Sequence, residues 1–197
     1  AVAEHPGSSV APHALNWQAR VAFIESEHAK ALSLYQKLIN RYPESNLIDQ
    51  AWKDLGLVHK VLGQLHLAIE AFSMVGESYE GWTNVQTEAG DLLLAAGRVD
   101  EIETRMDLEG ALKKADAAGN REGMAELHYI LGRVARERAQ HAQEIDHFTQ
   151  AVTNSANPTV ISFSRFFRGL AHYQMGAAQD AAGDSLKGSE HFVDSVA

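Results

Sequence analysis

Between Ala51 and Val75 the apolar positions fall into two helical stripes separated by a glycine. Trp52, Leu55 and His59 stand at i, i+3 and i+7, which places them on one face of a first helix. Gly56, beside Leu55, removes a side chain where another backbone can come close. Gly63 ends that helix, and Leu65, Ala68, Ile69 and Phe72 then recur at helical spacing as a second stripe. The pattern predicts two short amphipathic helices packed as a hairpin. A hairpin of this size cannot bury its apolar face alone, so the rest of the chain is expected to supply neighbours.

The rest of the chain repeats the pattern with variations. Ala1 to Pro12 is rich in turn formers and poor in apolar residues, and reads as a flexible leader. From His13 to Ser26 the residues Leu15, Trp17, Ala22, Phe23 and Ile24 predict one helix. A second follows, with Ala31 and Tyr35 four apart, Leu34 and Leu38 beside them, and Pro43 as a stop. Asn46 is the expected cap of the next helix. After the central hairpin, Ala89-Gly90, Leu93, Gly97, Ile102 and Met106 echo its marker positions. The segment from Asp107 to Asn120 reads as an extension of that third unit's second helix, kinked near Gly110. A fourth unit carries Leu131-Gly132, Ala139 at its turn, Phe148 and Ala151, and closes at Pro158. A fifth has Gly169, His172, Gly176 and Ala181, with Ser185 where a ring is expected.

This arrangement of Trp, Leu-Gly, a ring-sized residue, Gly, and Ala followed four residues later by Phe resembles the tetratricopeptide repeat. Ala19, Gly56, Gly90, Gly132 and Gly169 form one column with steps of 37, 34, 42 and 37 residues, and 34 is the period of the family. The resemblance covers roughly residues 13 to 190. It implies an all-α fold: a right-handed superhelical solenoid of antiparallel helix pairs, about five repeats long, as one domain over 13–197 after the leader 1–12. The first helices would line a concave groove. The segment from Ser26 to Gly56 is similar to repeats of bacterial envelope scaffolds, and residues 111 to 151 to the longer repeats of bacterial regulators.

In that geometry the groove is lined by Asn16, Arg20 and Phe23, by Lys53, Leu57 and Lys60, and by Thr87, Asp91 and Leu94. Tyr129, Arg133 and Arg136 follow, then Phe166, Leu170 and Tyr173. Aromatic anchors with guanidinium and ammonium groups suit a peptide or a partner helix bearing carboxylates. Arg133, Arg136 and Lys53 are the leading cations. The Lys and Asn pattern of the carboxylate clamp in chaperone-binding relatives is not reproduced, since Arg20 follows Asn16 and Leu57 follows Lys53. Phe163, Phe166 and Phe167 cannot all face one side of a helix, so at least one ring should contact the preceding hairpin and another face outward. Trp52 and Trp17 are expected to pack, and Trp82 to begin a helix near the surface.

Composition narrows the chemistry. The balance of 45% hydrophobic and 22% charged residues is that of a folded soluble domain. A formal charge of −9 disfavours nucleic acid, because each phosphate contact calls for Lys or Arg. No apolar run is long enough to span a membrane. Without Cys there is no disulfide, thiolate metal site or Cys nucleophile, which fits a bacterial cytoplasm and a periplasm equally. The chain lacks an intact signal peptide and leaves a cleaved one open. Glu144 and His147 stand three apart with His141 nearly two turns away. Zinc needs three or four converging groups, so no metal or cofactor is expected. No catalytic or phosphate-binding motif occurs.

The expected function is therefore non-enzymatic: a protein-interaction scaffold or adaptor holding a protein or peptide in its groove. The rival reading is a ligand- or peptide-sensing module of a bacterial regulator. Uncapped terminal repeats would also permit a homo-oligomer.

Overall fold

The computed structural model describes residues 10–182, the side chain of Glu103 aside. Ten helices and no strand occur among the described residues, which bears out the all-α reading. They are α1 (Val10–Ile24), α2 (His28–Arg41), α3 (Ile48–Val61), α4 (Leu65–Ser73), α5 (Trp82–Ala95), α6 (Asp100–Arg105), α7 (Leu108–Ala117), α8 (Arg121–Glu137), α9 (His141–Asn154) and α10 (Pro158–Ala181). The chain divides into two compact units, Ala1–Leu92 and Leu93–Ala197, with the division inside α5.

In the first unit α1 pairs with α2, and α3 with α4. Leu15, Ala19, Ala22, Ala31, Tyr35 and Leu38 form one continuous core with Ala51, Leu55 and Val58. The small residues at 19, 22, 31 and 51 matter because they let helix axes approach while the larger side chains interlock. Gly56 serves the second pair. Its bare Cα faces the ring of buried Phe72, and a Cβ there would stand 2.5 Å from Phe72 Cε1.

In the second unit α8 packs on α7 on one side and on α9 on the other, and α9 packs on α10. Gly132 repeats the part of Gly56, facing the ring of buried Phe148, sixteen residues on in both cases. Ala19 to Tyr35 and Gly90 to Met106 keep the same spacing, and all four residues are buried. The tight turns fall seven residues after the column, at Ser26, Gly63, Gly97 and Ala139, each in the left-handed region with φ of 53° to 70°. The next residue's N–H then donates back across the helix end, as in Gln64 to the His59 carbonyl at 2.9 Å and Gln140 to that of Ala135 at 2.8 Å. Ser26 and Ala139 make this turn without glycine.

Several expectations are corrected. Helix α1 begins at Val10, inside the expected leader, with Ala11 and Pro12 buried; Pro is tolerated there because first-turn N–H groups have no intrahelical acceptor. Asn46 does not cap α3. That helix starts at Ile48, and the Leu47 N–H donates to Ser45 Oγ at 3.2 Å. The third unit's second helix is not extended through residue 120. Met106 is extended, and Asp107 accepts from the Gly110 N–H at 2.8 Å, capping a separate α7. Trp17 is 66% exposed, whereas Trp82 is buried. The turn expected at Gly176 of the fifth unit is absent: α10 runs unbroken through Gly176 to Ala181, so the residues read as the start of a second helix continue the first, and Ser185 lies outside the described residues.

Candidate functional site

The candidates that precede α8 come from α1, α3 and α5. Asn16 is buried, and its Oδ1 finds no hydrogen-bond partner among the described residues. Arg20 is exposed and lines a hollow of about 200 Å³ with Phe23, Ile24, Tyr35, Asp54 and Leu57. At its floor the Tyr35 hydroxyl donates to Asp54 Oδ2 at 3.3 Å. Burial, then the Asp54 carboxylate, pushes the Tyr35 phenol well above its ordinary value, so it stays a donor. The same carboxylate accepts from Gln50 Nε2 at 2.8 Å and lies 3.4 Å from Lys53 Nζ. Lys60 is bound to Glu88. Lys53 and Lys60, read as groove cations, are thus both engaged by carboxylates of this chain. Asp91 and Leu57 are half-buried, Thr87 donates to the Thr83 carbonyl at 3.1 Å, and Leu94 is buried.

The second-unit candidates come together on α8 and α10. Tyr129, Arg133 and Arg136 follow one another along α8 at i, i+4 and i+7. The Arg133 guanidinium lies over the Tyr129 ring at 5.8 Å, and that of Arg136 over Phe167 at 4.9 Å. Rings then continue across three helices. Tyr129 is 5.9 Å from Phe148, and Phe148 stacks on Phe167 at 5.5 Å. Phe167 in turn meets Phe163 and Phe166. As the spacing requires, one ring of the triplet turns inward, while Phe163 and Phe166 are 50% and 63% exposed. Tyr173, 55% exposed, continues their face past half-buried Leu170.

Fixed groups hold this face in place. Glu122 at the start of α8 accepts from Ser155 Oγ at 2.7 Å and from the Ala156 N–H at 2.9 Å. These bonds, Ser155 first, lower the Glu122 carboxyl and tie down the loop before α10. Asn157 then caps α10 by accepting from the Thr159 N–H at 2.9 Å, with Pro158 in the first turn. Arg136 is more constrained than its sequence position implies: its Nη1 donates to Glu144 Oε1 at 3.1 Å, and His141 Nδ1 is 3.1 Å from the other oxygen. Glu144 is fully buried.

His147 goes elsewhere. Its Nδ1 lies 3.2 Å from Nδ1 of His128 across the α8–α9 pair, and the three groups weighed for zinc do not converge. No group of three or more metal-ligating side chains occurs among the described residues. His59 is buried and bonded to Gln64 Oε1 at 2.6 Å through Nδ1, closing the α3–α4 turn. Two hollows beside α8, of about 320 and 490 Å³, share Glu109, Leu131 and Val134 in their walls. Sequence reasoning missed them, together with the Glu144–Arg136 pair. The one available signal was the 42-residue step between Gly90 and Gly132, longer by eight residues than the regular period. No described helix is long and apolar enough to cross a membrane.

Residues 17–45 match the family model of the tetratricopeptide repeat. Among solved structures, MamA from Desulfovibrio magneticus RS-1, residues 41 to its end, is 15% identical with a TM-score of 0.57, over 94% of this chain and 93% of that one. BtubC (BKLC) from P. vanneervenii is 14% identical with a TM-score of 0.59, over 95% of this chain and 79% of that one. No curated protein matches the sequence. At such identities the structural likeness shows the fold. With the family match, it bears out the resemblance read from the residues.

Proposed function

We propose that this chain of tetratricopeptide-repeat fold is a protein-interaction scaffold, without catalysis of its own, that holds a protein or peptide partner on the exposed faces of its first helices. The observation that carries the reading is the surface of the second unit. Phe163, Phe166 and Tyr173 are at least half exposed along α10, with Arg136 of α8 over Phe167 of the same helix and Arg133 one turn away on α8. Single exposed apolar residues are ordinary, whereas a contiguous aromatic face with guanidiniums alongside is the composition of interface hot spots. Arg20, with the hollow at Leu57 and Asp54, is a second contact region in the first unit. Exposed Val10, Trp17 and Ile24, seven residues apart on α1, offer a face for self-association.

The test is partner capture with the full chain, comparing wild type with Phe166→Ser and Arg133→Glu. A partner recovered by wild type should bind each variant at least about tenfold more weakly. Unchanged affinity in both would overturn the assignment of this face. The alternative reading, a ligand-sensing module of a bacterial regulator, has the two hollows beside α8 in its favour. A thermal-shift screen separates the two, since stabilisation by a small molecule supports the sensor.

A further inference from the structure

The apolar residues on the outer side of α10, three exposed and Leu170 half-buried, follow a rule of their own. Phe163, Phe166, Leu170 and Tyr173 fall at i, i+3, i+7 and i+10, the three-four alternation of a coiled-coil seam, over about 15 Å of helix at 1.5 Å per residue. The positions flanking the seam, Ser162, Gly169 and Gln174, carry no charge and small or neutral side chains, which leaves room for a second helix to lie close. Of the α8 cations, Arg136 lies over Phe167 of α10, and Arg133, one turn earlier on α8, lies over Tyr129. From Pro158 to Gln179, α10 contains Arg165 and Arg168 and no carboxylate, within a chain of net charge −9.

From these observations we infer that the element recognised by the second unit is an amphipathic helix of a partner protein, apolar toward α10 and acidic along the flank toward α8. The inference rests on the partner-binding reading above and adds the shape and charge of what is bound. Apolar side chains of the partner helix seat between Phe163, Phe166, Leu170 and Tyr173, and its carboxylates meet Arg133. Arg136, held by Glu144 and laid on Phe167, forms the wall of the valley.

The experiment pans the full chain against two displayed peptide libraries of about 18 residues, long enough for five helical turns. One is patterned as an amphipathic helix with Asp, Glu, Lys or Arg allowed on the flank, and the other carries proline every fourth residue. Enrichment of helix-library clones with acidic flanks is expected. These should bind Phe166→Ser and Tyr173→Ser at least about tenfold more weakly, and Arg133→Glu should prefer the Lys-flanked form of the same clone. Circular dichroism checks that the variants remain folded. Phe166-dependent clones drawn from the proline library would overturn the helix while leaving the partner-binding reading standing. Clones indifferent to both Phe166 and Arg133, or none at all, would overturn both. Self-association of the chain that disappears in Phe166→Ser would replace the partner helix by a second copy.

Discussion

Gly56 lies under the ring of Phe72 so closely that a Cβ at position 56 would stand 2.5 Å from Cε1. Two opposite effects therefore meet in Gly56→Ala. Alanine is a better helix former by about 1 kcal/mol, while overpacking a filled core costs about 1–3 kcal/mol. With the ring in place the substitution should destabilise by up to about 2 kcal/mol. In the Phe72→Ala background, itself less stable by about 3–5 kcal/mol, the same change should stabilise by about 1 kcal/mol. Urea denaturation of the four proteins of this cycle measures the reversal of sign, and equal effects in both backgrounds would refute the contact.

Ala139 holds φ at 53°, a conformation that disfavours an L side chain by roughly 1–2 kcal/mol. Ala139→Gly removes that strain and gives back about 0.4–1 kcal/mol through the freer unfolded chain. A net gain of about 0.5–1 kcal/mol is expected, and Ser26→Gly should act alike. Gly63→Ala, at the equivalent turn, should lose a similar amount. Midpoints of thermal or urea unfolding decide between them.

The turns of the first four units and the close contacts were legible because each is written at a fixed distance in one chain segment: seven residues from column to turn, sixteen from column to ring. Gly176, seven after Gly169, sits instead inside an unbroken α10. What lay between elements was not legible. The break at Met106 and Asp107 falls between two segments that both favour helix. Its only mark is Asp107 three residues before Gly110, a capping signal readable in principle. Trp17 and Trp82 were assigned opposite to their burial, since a large ring at helical spacing tells which face it is on and not whether a neighbour covers that face. Glu144 was weighed as a metal ligand because its partner Arg136 stands eight residues away across a turn, and no periodicity within one helix reveals such a pair.

Arg136 and Glu144 should respond unequally to removal. Glu144 is fully buried, so Arg136→Met strands a carboxylate with only His141 for company, at a loss of about 3 kcal/mol. Glu144→Gln keeps an acceptor for the guanidinium, whose side chain is partly exposed, and should lose only about 1–2 kcal/mol. Equal losses would show that the carboxylate is better solvated than its burial implies. Denaturant unfolding at neutral pH reads the difference.

His128 and His147 face one another at 3.2 Å, both part-buried, and both titrate below the ordinary 6.5. Burial is the leading cause in each, assisted at His128 by the His147 charge and opposed in both by Asp146. Because the unfolded chain binds these protons more readily than the folded one, stability should be level above about pH 7. It should then fall as pH drops below 6.5, until the lowered native values are passed. Replacing the pair, as in His128→Phe with His147→Leu, should flatten that limb. A double variant with an unchanged acid slope would assign the loss to other groups.

Phe166 and Phe167 are neighbours in sequence with separable tasks. Phe167 stacks on Phe148 at 5.5 Å and lies under the Arg136 guanidinium, so Phe167→Ala opens the seam between α9 and α10 and should destabilise by about 2–4 kcal/mol. Phe166 points out, touching Phe167 only by its edge, and Phe166→Ser should move stability by less than about 0.5 kcal/mol. For binding the order should reverse. Loss of partner affinity in Phe166→Ser at unchanged unfolding midpoint is the result that separates a contact residue from a packing one. A Phe166→Ser protein as unstable as Phe167→Ala would mean that the outer ring too belongs to the core.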